Sequence, residues 1–383
     1  MRVAHVNFVP KALTGVVKKL GQQARMAKEI GLPIDFFLVN DDPESPSSAL
    51  IHRRFEKQSG WRRQLLREHT FHKTAIIENV VPLRDYDAVV MRYAGNYTRA
   101  DGFLRRHGHK LITEHHTKEF NEMLLYRGWL LKWVLALVEK LSAPRFLHRV
   151  AGIIGVTDEI RRYELQISGP KPSAVIGNGI CVSETAFTGF RPFDGNTLHL
   201  VFVASDFTPW LALNRLLDGM IAHRGPEKIV LHLIGRLEPE SRQRLAEWRT
   251  PYSEVKLHGS LQGESLKEVM ASATMGVSSL GLYNSQLNEA CPLKSREYVS
   301  RGLPLVMGYR DPDIHADTPF VLVVPNDPSP LDCSRLVEFA RKVSQHAGLA
   351  DQMREFAERQ LDWKIKLRRI HDFAAQVVAQ KVS

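Results

Sequence analysis

Short apolar runs alternate with amphipathic stretches along most of the chain. The first run, RVAHVNF, is followed by a loop, VPKALTG, and then by VVKKLGQQARMAKEIG. In that third stretch apolar positions recur roughly every 3.6 residues, the period of a helix with one buried face. A second apolar run, IDFFLV, comes next. Strand, loop, helix and strand in this order predict parallel strands joined by right-handed crossovers. YDAVVMRY, HKLITEH, VAGIIGVT and PSAVIGNGI extend the series of predicted strands.

The rhythm breaks at CVSETAFTGFRPFDGNT, Cys181 to Thr197, which is rich in turn formers and reads as a linker. Beyond it the pattern restarts. LHLVFVAS, KIVLHLIG, VKLHG, ATMGVSS and LPLVMGY read as strands, and LALNRLLDGM and SLKEVMAS as helices. The chain closes on a basic amphipathic helix, WKIKLRRIHDFAAQVVAQ. The predicted fold is α/β, with two Rossmann-like doubly wound parallel-sheet domains facing across a cleft. The first covers residues 1–182, the second 196–361, and the helix of 362–383 packs back towards the first. Open α/β sheets bind ligands at the carboxyl ends of their strands, so those ends are where chemistry is expected.

Length agrees with this division, because 383 residues are too many for one ordinary core. The net charge of +10 favours anionic partners without choosing among them. Three scattered cysteines, Cys181, Cys291 and Cys333, form no CxxC pair, which argues against a disulfide framework or a zinc site and for a reducing compartment. The amino terminus lacks the apolar run of a signal peptide. The most apolar segment, Gly128 to Val138, is too short to span a bilayer and contains Lys132. The expected location is cytoplasmic. Residues His52 to Lys73 carry seven Lys or Arg against two Glu, a net of +5, and Arg105 and Arg106 follow. This is either a solvated basic face or a surface for acidic lipid headgroups on the inner face of the membrane. Trp129 and Trp133 lie on an apolar face that reads first as a helix–helix contact and second as a membrane patch. No nucleic-acid module accompanies the charge, which argues against nucleic acid as a partner.

The candidate chemistry concentrates in LNEACPLKSREYVSRGLPLV, Leu287 to Val306. Pro292 suits the first position of a helix, and Gly302 with Pro304 suits its end, so a helix is predicted from about Pro292 to Arg301. Cys291 precedes it where a capping Ser, Thr, Asp or Asn is usual, leaving first-turn N–H groups without a side-chain acceptor. Free N–H donors and the positive end of the helix dipole suit an anion, and Lys294 adds a full charge in that turn. The simpler reading is a surface helix in which Lys294 pairs with Glu297 and Glu297 with Arg301.

Two glutamates separated by seven residues, then an aromatic, then GxP and a strand resemble the E-x7-E segment of retaining nucleotide-sugar glycosyltransferases of the GT-B fold. The resemblance implies that Glu297 binds the ribose hydroxyls and that Glu289 lies near the donor sugar. It also implies that the backbone between them, including Pro292 and Leu293, approaches sugar and diphosphate. Other stretches match in order. Gly15 in ALTGVVKKL resembles the first-loop glycine. LITEHHTKEF resembles the segment with a functional histidine, with His116 favoured and His115 second. GVTDEIRRY and VIGNGI resemble the end of the first domain, and Arg236 in LHLIGRL falls beside the family's donor site. One departure stands out. The family often grips the diphosphate with a basic pair after the first strand of the second domain, whereas VASDFTPWLALNRLL has no basic residue before Arg215.

On this resemblance the chain transfers a sugar from a nucleotide-diphosphate donor to an acceptor hydroxyl with retention. The acceptor would be a glycan or a lipid-linked molecule in surface polysaccharide or glycolipid assembly. His116, Glu289 and Lys294 would serve the reaction; Gly15, His115, Arg236, Pro292, Leu293 and Glu297 would bind the substrate. No metal and no cofactor beyond the donor would be required. The acidic pairs Asp41–Asp42 and Asp311–Asp313 sit among prolines and read as turns rather than as a metal-binding DxD motif. The second hypothesis is a catalytically weak GT-B protein that binds a nucleotide or a partner.

Overall fold

The computed structural model describes residues 1–9, 14–42, 47–55, 72–124 and 129–380. The first loop from 10 to 13 and the basic stretch from 56 to 71, both singled out in the sequence, lie outside the described residues, as do the side chains of Thr14 and of residues 129–131.

Two compact units form. One comprises residues 1–177 with 363–383, the other 178–362. In the first unit seven strands are described: β1 Val3–Phe8, β2 Ile34–Asn40, β3 Ile51–Arg54, β4 Ala88–Arg92, β5 Leu111–His115, β6 Gly152–Gly155 and β7 Ser173–Val175. Their order across the sheet is β3-β2-β1-β4-β5-β6-β7, with every pairing parallel. Six more make the second sheet: β8 Thr197–Asp206, β9 Lys228–Arg236, β10 Ser253–Leu257, β11 Met275–Val277, β12 Leu305–Met307 and β13 Val321–Val323. They run β10-β9-β8-β11-β12-β13, again all parallel. This is the predicted fold class, two doubly wound α/β domains.

The central strands read as near-continuous apolar runs because helices cover both faces of each sheet. β1 is buried at every position, and Leu200, Val201 and Phe202 of β8 have no exposed surface. In each sheet the winding direction reverses beside the first strand, between β1 and β4 and between β8 and β11. Such reversal points open a crevice at the carboxyl ends of the strands, so each unit carries its own candidate site there.

The segment read as a linker belongs to the second unit. Thr188 and Gly189 N–H donate to the Arg301 carbonyl at 3.0 and 2.9 Å, and Arg191 N–H donates to the Ala273 carbonyl at 2.8 Å. An irregular stretch can thus be firmly held when its backbone groups find partners outside any ladder. The closing helix, Trp363–Ala379, groups with the first unit, where Trp363, Ile370 and Val377 are buried and Lys19 Nζ lies 5.4 Å from the Trp363 ring centre. Among the described residues no helix is long and apolar enough to cross a membrane.

Candidate functional site

In the second unit the Leu293–Arg301 helix follows the turn region after β11. Pro292 occupies the cap position rather than the first helical one, at φ −74° and ψ 144°. It offers no side-chain acceptor and no acid lies in the first turn, so the helix starts uncapped, as the sequence predicts. At the other end Gly302 adopts φ +78°, and Leu303 N–H returns to the Tyr298 carbonyl at 2.9 Å. Tyr298 fixes the helix to the sheet. Its ring packs so tightly over Gly276 that a Cβ there would lie 2.6 Å from it, and its hydroxyl donates to the Val277 carbonyl at 3.2 Å.

Below the first turn the supports are buried. The hydroxyls of Ser278, Ser295 and Tyr309 bond to one another at 2.6 to 2.8 Å. Arg296 has no exposed surface and holds both acids of the RDPD turn, with Nη2 2.7 Å from Asp311 Oδ1 and 3.1 Å from Asp313 Oδ2. That ion pair gives the acidic pair a role beyond the turn. Asn178, from the VIGNGI segment, completes the frame. Its side chain donates to the Cys291 carbonyl at 2.6 Å, and its own carbonyl accepts from Arg296 Nε at 3.1 Å.

Within this frame Lys294 is partly buried and lies 5.1 Å from the Phe202 ring centre. Among the described residues no carboxylate pairs with it. Burial therefore lowers its pKa to about 7, close to the point where it changes charge. The expected Lys294–Glu297 pair does not form, whereas Glu297 does pair with Arg301, at 2.8 Å from Nη2 to Oε1. Glu289 bridges to Arg310 through both backbone and side chain, with Arg310 Nη2 3.5 Å from Oε1. The segment thus holds Glu289, Pro292, Leu293, Lys294 and Glu297 along one turn-and-helix path, with one partly buried amine lacking a counter-ion.

Arg236 ends β9 beside a bulge and is bound to Asp206, with Nε 2.8 Å from Oδ1. Its side chain is 71% exposed, so it remains within reach of an anion, although Asp206 already offsets its charge. Arg215 is no substitute for the missing basic pair. It is buried and donates to the carbonyls of Ser329, Leu280 and Pro325 at 2.6 to 2.8 Å.

In the first unit Gly15 lies in the first turn of the Thr14–Glu29 helix and is exposed. A Cβ there would meet nothing within 4 Å, so the protein's own packing does not demand a glycine. His116 follows β5, and its ring is mostly shielded. Its Nε2 lies 3.4 Å from Glu114 Oε2 and 3.5 Å from Lys19 Nζ. Burial and the neighbouring Lys19 depress its pKa to about 3 against the pull of Glu114, so the ring is neutral at pH 7. Burial alone would raise the Glu114 carboxyl, but His116 and Lys19 hold it well below the usual carboxylate range. His5 adds a contact at 3.3 Å. Glu114 and Lys19 escaped the sequence reading. The one available signal was that Lys19 stands a helical turn beyond Gly15.

His115 points the other way. It has no exposed surface, stacks on Tyr93 at 4.6 Å between ring centres, and faces the buried acids Glu119 and Glu164. The structure therefore separates the two adjacent histidines, with His116 towards the strand ends and His115 into the core.

No protein-family model matches the chain, and no curated protein matches it by sequence. Solved structures do match by fold. A sucrose-phosphate synthase from Thermosynechococcus elongatus is 15% identical over 99% of this chain and 100% of that one, with a TM-score of 0.64. Anabaena HepE, solved in complex with UDP, is 15% identical over 98% of this chain and 100% of that one, with a TM-score of 0.61. WaaG, a glycosyltransferase involved in lipopolysaccharide biosynthesis, is 14% identical over 97% and 99%, with a TM-score of 0.61. At this identity the likeness is one of fold, and it spans essentially the whole chain.

Proposed function

We propose that this chain is a retaining glycosyltransferase that takes its sugar from a nucleotide-diphosphate donor. The carrying observation is the uncapped start of the Leu293–Arg301 helix with Lys294 beside it, which pairs with no carboxylate among the described residues. A diphosphate would accept from the first-turn N–H groups and return Lys294 to its charged form. Glu297 would receive the ribose hydroxyls, and its bond to Arg301 holds it ready. Glu289 would face the donor sugar, with Pro292 and Leu293 bringing backbone close to sugar and phosphate. The fold shared with a UDP-bound protein, HepE, supports a nucleotide in this role. Neutral His116 and the open surface at Gly15 would serve donor sugar and acceptor from the first unit.

In the transfer the bond from the anomeric carbon to the diphosphate oxygen breaks, and a bond to the acceptor oxygen forms. The acceptor proton leaves with the diphosphate. Negative charge grows on the leaving oxygen, so donors already aimed there lower the barrier without a metal. The acceptor is proposed to be a glycan or lipid-linked hydroxyl presented at the inner face of a membrane, with the chain cytoplasmic and peripheral. An exposed apolar stripe supports this. Trp133, Val134, Leu137 and Leu141 on the Trp129–Leu147 helix are 49% to 62% exposed, and Lys140 and Arg145 are exposed on the same helix. The competing reading, a nucleotide-binding GT-B protein with little activity, draws on the missing basic pair.

A donor panel tests the proposal. One or more of UDP-, GDP-, ADP- or TDP-sugars should raise the melting temperature and be slowly hydrolysed, and both effects should fall in Lys294→Ala and Glu297→Ala. If no donor does either, the proposal fails. A donor that stabilises but is never turned over favours the competing reading.

A further inference from the structure

A second cluster lies in the core of the first unit, and the transfer proposed above gives it no role. His115 ends β5, Glu119 opens the Glu119–Leu124 helix, and Glu164 sits on the Asp158–Ser168 helix. Their exposures are 0%, 7% and 1%. His115 Nδ1 lies 3.4 Å from the Glu119 carboxylate and 3.5 Å from Glu164 Oε1, and ligating atoms of all three lie within 4.8 Å of one another. We propose that these three side chains bind one divalent transition metal ion, with zinc the best fit.

Geometry and orientation both point that way. Zinc–nitrogen and zinc–oxygen bonds of about 2.0–2.2 Å in a tetrahedron separate neighbouring ligand atoms by about 3.4 Å, the spacing seen from His115 to both acids. The other ring nitrogen is occupied, with Nε2 2.9 Å from Thr113 Oγ1. An outer partner of that kind fixes the ring of a metal-ligating histidine and leaves its second nitrogen for the ion. Glu164 Oε1 is buried, points into the cluster and has no hydrogen-bond donor among the described residues. Buried carboxylate oxygens seldom go without a partner.

The neighbouring buried groups have partners of their own. A third buried acid, Glu139, is satisfied separately by the Tyr93 hydroxyl at 2.8 Å and by the Asn96 N–H. One buried cation, Lys73, stands near and donates to the Ala94 and Gly95 carbonyls at 2.7 and 2.6 Å. A divalent ion would tie the end of β5 to two helices directly behind His116, in the buried core of the unit.

Elemental analysis of the untagged full chain, produced in zinc-supplemented medium and washed with a mild chelator, tests the site. The expected result is about one equivalent of zinc per chain. Cobalt-grown protein should show the visible absorption of a tetrahedral nitrogen–oxygen site. Glu164→Gln and His115→Asn should lose at least nine-tenths of the metal. His232→Ala removes the centre of a separate chain of histidines, His199, His232 and His258, and should keep it. Wild-type protein that stays metal-free, with a melting temperature indifferent to added Zn²⁺, Mn²⁺ or Co²⁺, overturns the proposal, and the cluster is then a pair of acids sharing a proton. Metal lost from His232→Ala but retained in Glu164→Gln overturns it too. The wild-type readings stand even if the two ligand variants fail to fold.

Discussion

At the residue scale Lys294 shows a conflict between stability and binding. Among the described residues no carboxylate answers its amine, and burial brings its pKa from 10.5 to about 7. Between those values the unfolded chain holds a proton that the folded chain has released, so the stability cost of this lysine is full below pH 7 and fades as pH rises towards 10.5. Lys294→Met is therefore expected to raise the melting temperature at pH 7, with the gain shrinking towards pH 10. The same variant should weaken nucleoside diphosphate binding by about tenfold to a hundredfold, the range for losing a hydrogen bond from a charged group. Wild-type affinity should fall as pH climbs above about 7, because the amine must then take up a proton to bind; calorimetry across pH would lose that slope in the variant. His116 has the same sign of dependence over a lower range. Its pKa falls from 6.5 to about 3, so the folded state resists a proton that the unfolded state accepts. Stability linked to His116 is present above pH 6.5 and lost as pH drops towards 3. His116→Gln should flatten that part of an acid titration followed by circular dichroism. Little of this was legible beforehand. The sequence placed both residues but could not say that Lys294 lacks Glu297, or that His115 and His116 face opposite ways, because a strand end alternates its side chains and only the fold decides which side is core.

At the element scale the Leu293–Arg301 helix was legible almost to its ends. Proline before it and glycine after it act through backbone sterics, which a sequence displays directly. The short edge strands β3 and β13 were not. Ile51–Arg54 and Val321–Val323 are too brief for periodicity and are defined by their neighbours, Phe37 to Asn40 and Leu305 to Met307. The Arg296–Asp311 pair was equally hidden, since a helix residue and a turn fifteen positions later share no local pattern. Two substitutions separate these kinds of information. Gly302→Ala forces a side chain to φ +78° and puts a Cβ 2.7 Å from the Phe187 ring, so a loss of about 1–3 kcal/mol is expected. Arg296→Met leaves the fully buried Asp311 without its partner and should cost about 3–5 kcal/mol. Urea unfolding would rank them, and a larger loss at Gly302 would mean that the buried ion pair contributes little to holding the site.

At the scale of the whole molecule, charge and apolar surface are the two features behind the proposed membrane partner. The chain carries +10 at neutral pH, more than a single phosphate site needs. Trp133, Leu137 and Leu141 recur at four-residue intervals, so they form one stripe along the Trp129–Leu147 helix, and all three are more than half exposed. A soluble domain seldom leaves such a stripe uncovered beside Lys140 and Arg145, and a surface of acidic lipid answers both features together. Vesicles containing phosphatidylserine or phosphatidylglycerol should therefore sediment the protein, whereas neutral phosphatidylcholine vesicles should do so weakly. Raising salt should release the electrostatic part of the binding. Leu137→Glu with Leu141→Glu should abolish most of it by adding repulsion where apolar contact was. Those two positions are exposed and distant in sequence from Lys294, Glu297 and His116, so donor hydrolysis in the absence of vesicles should be unchanged in the double variant. If that variant still binds acidic vesicles as the wild type does, charge alone accounts for attachment and the stripe needs another partner.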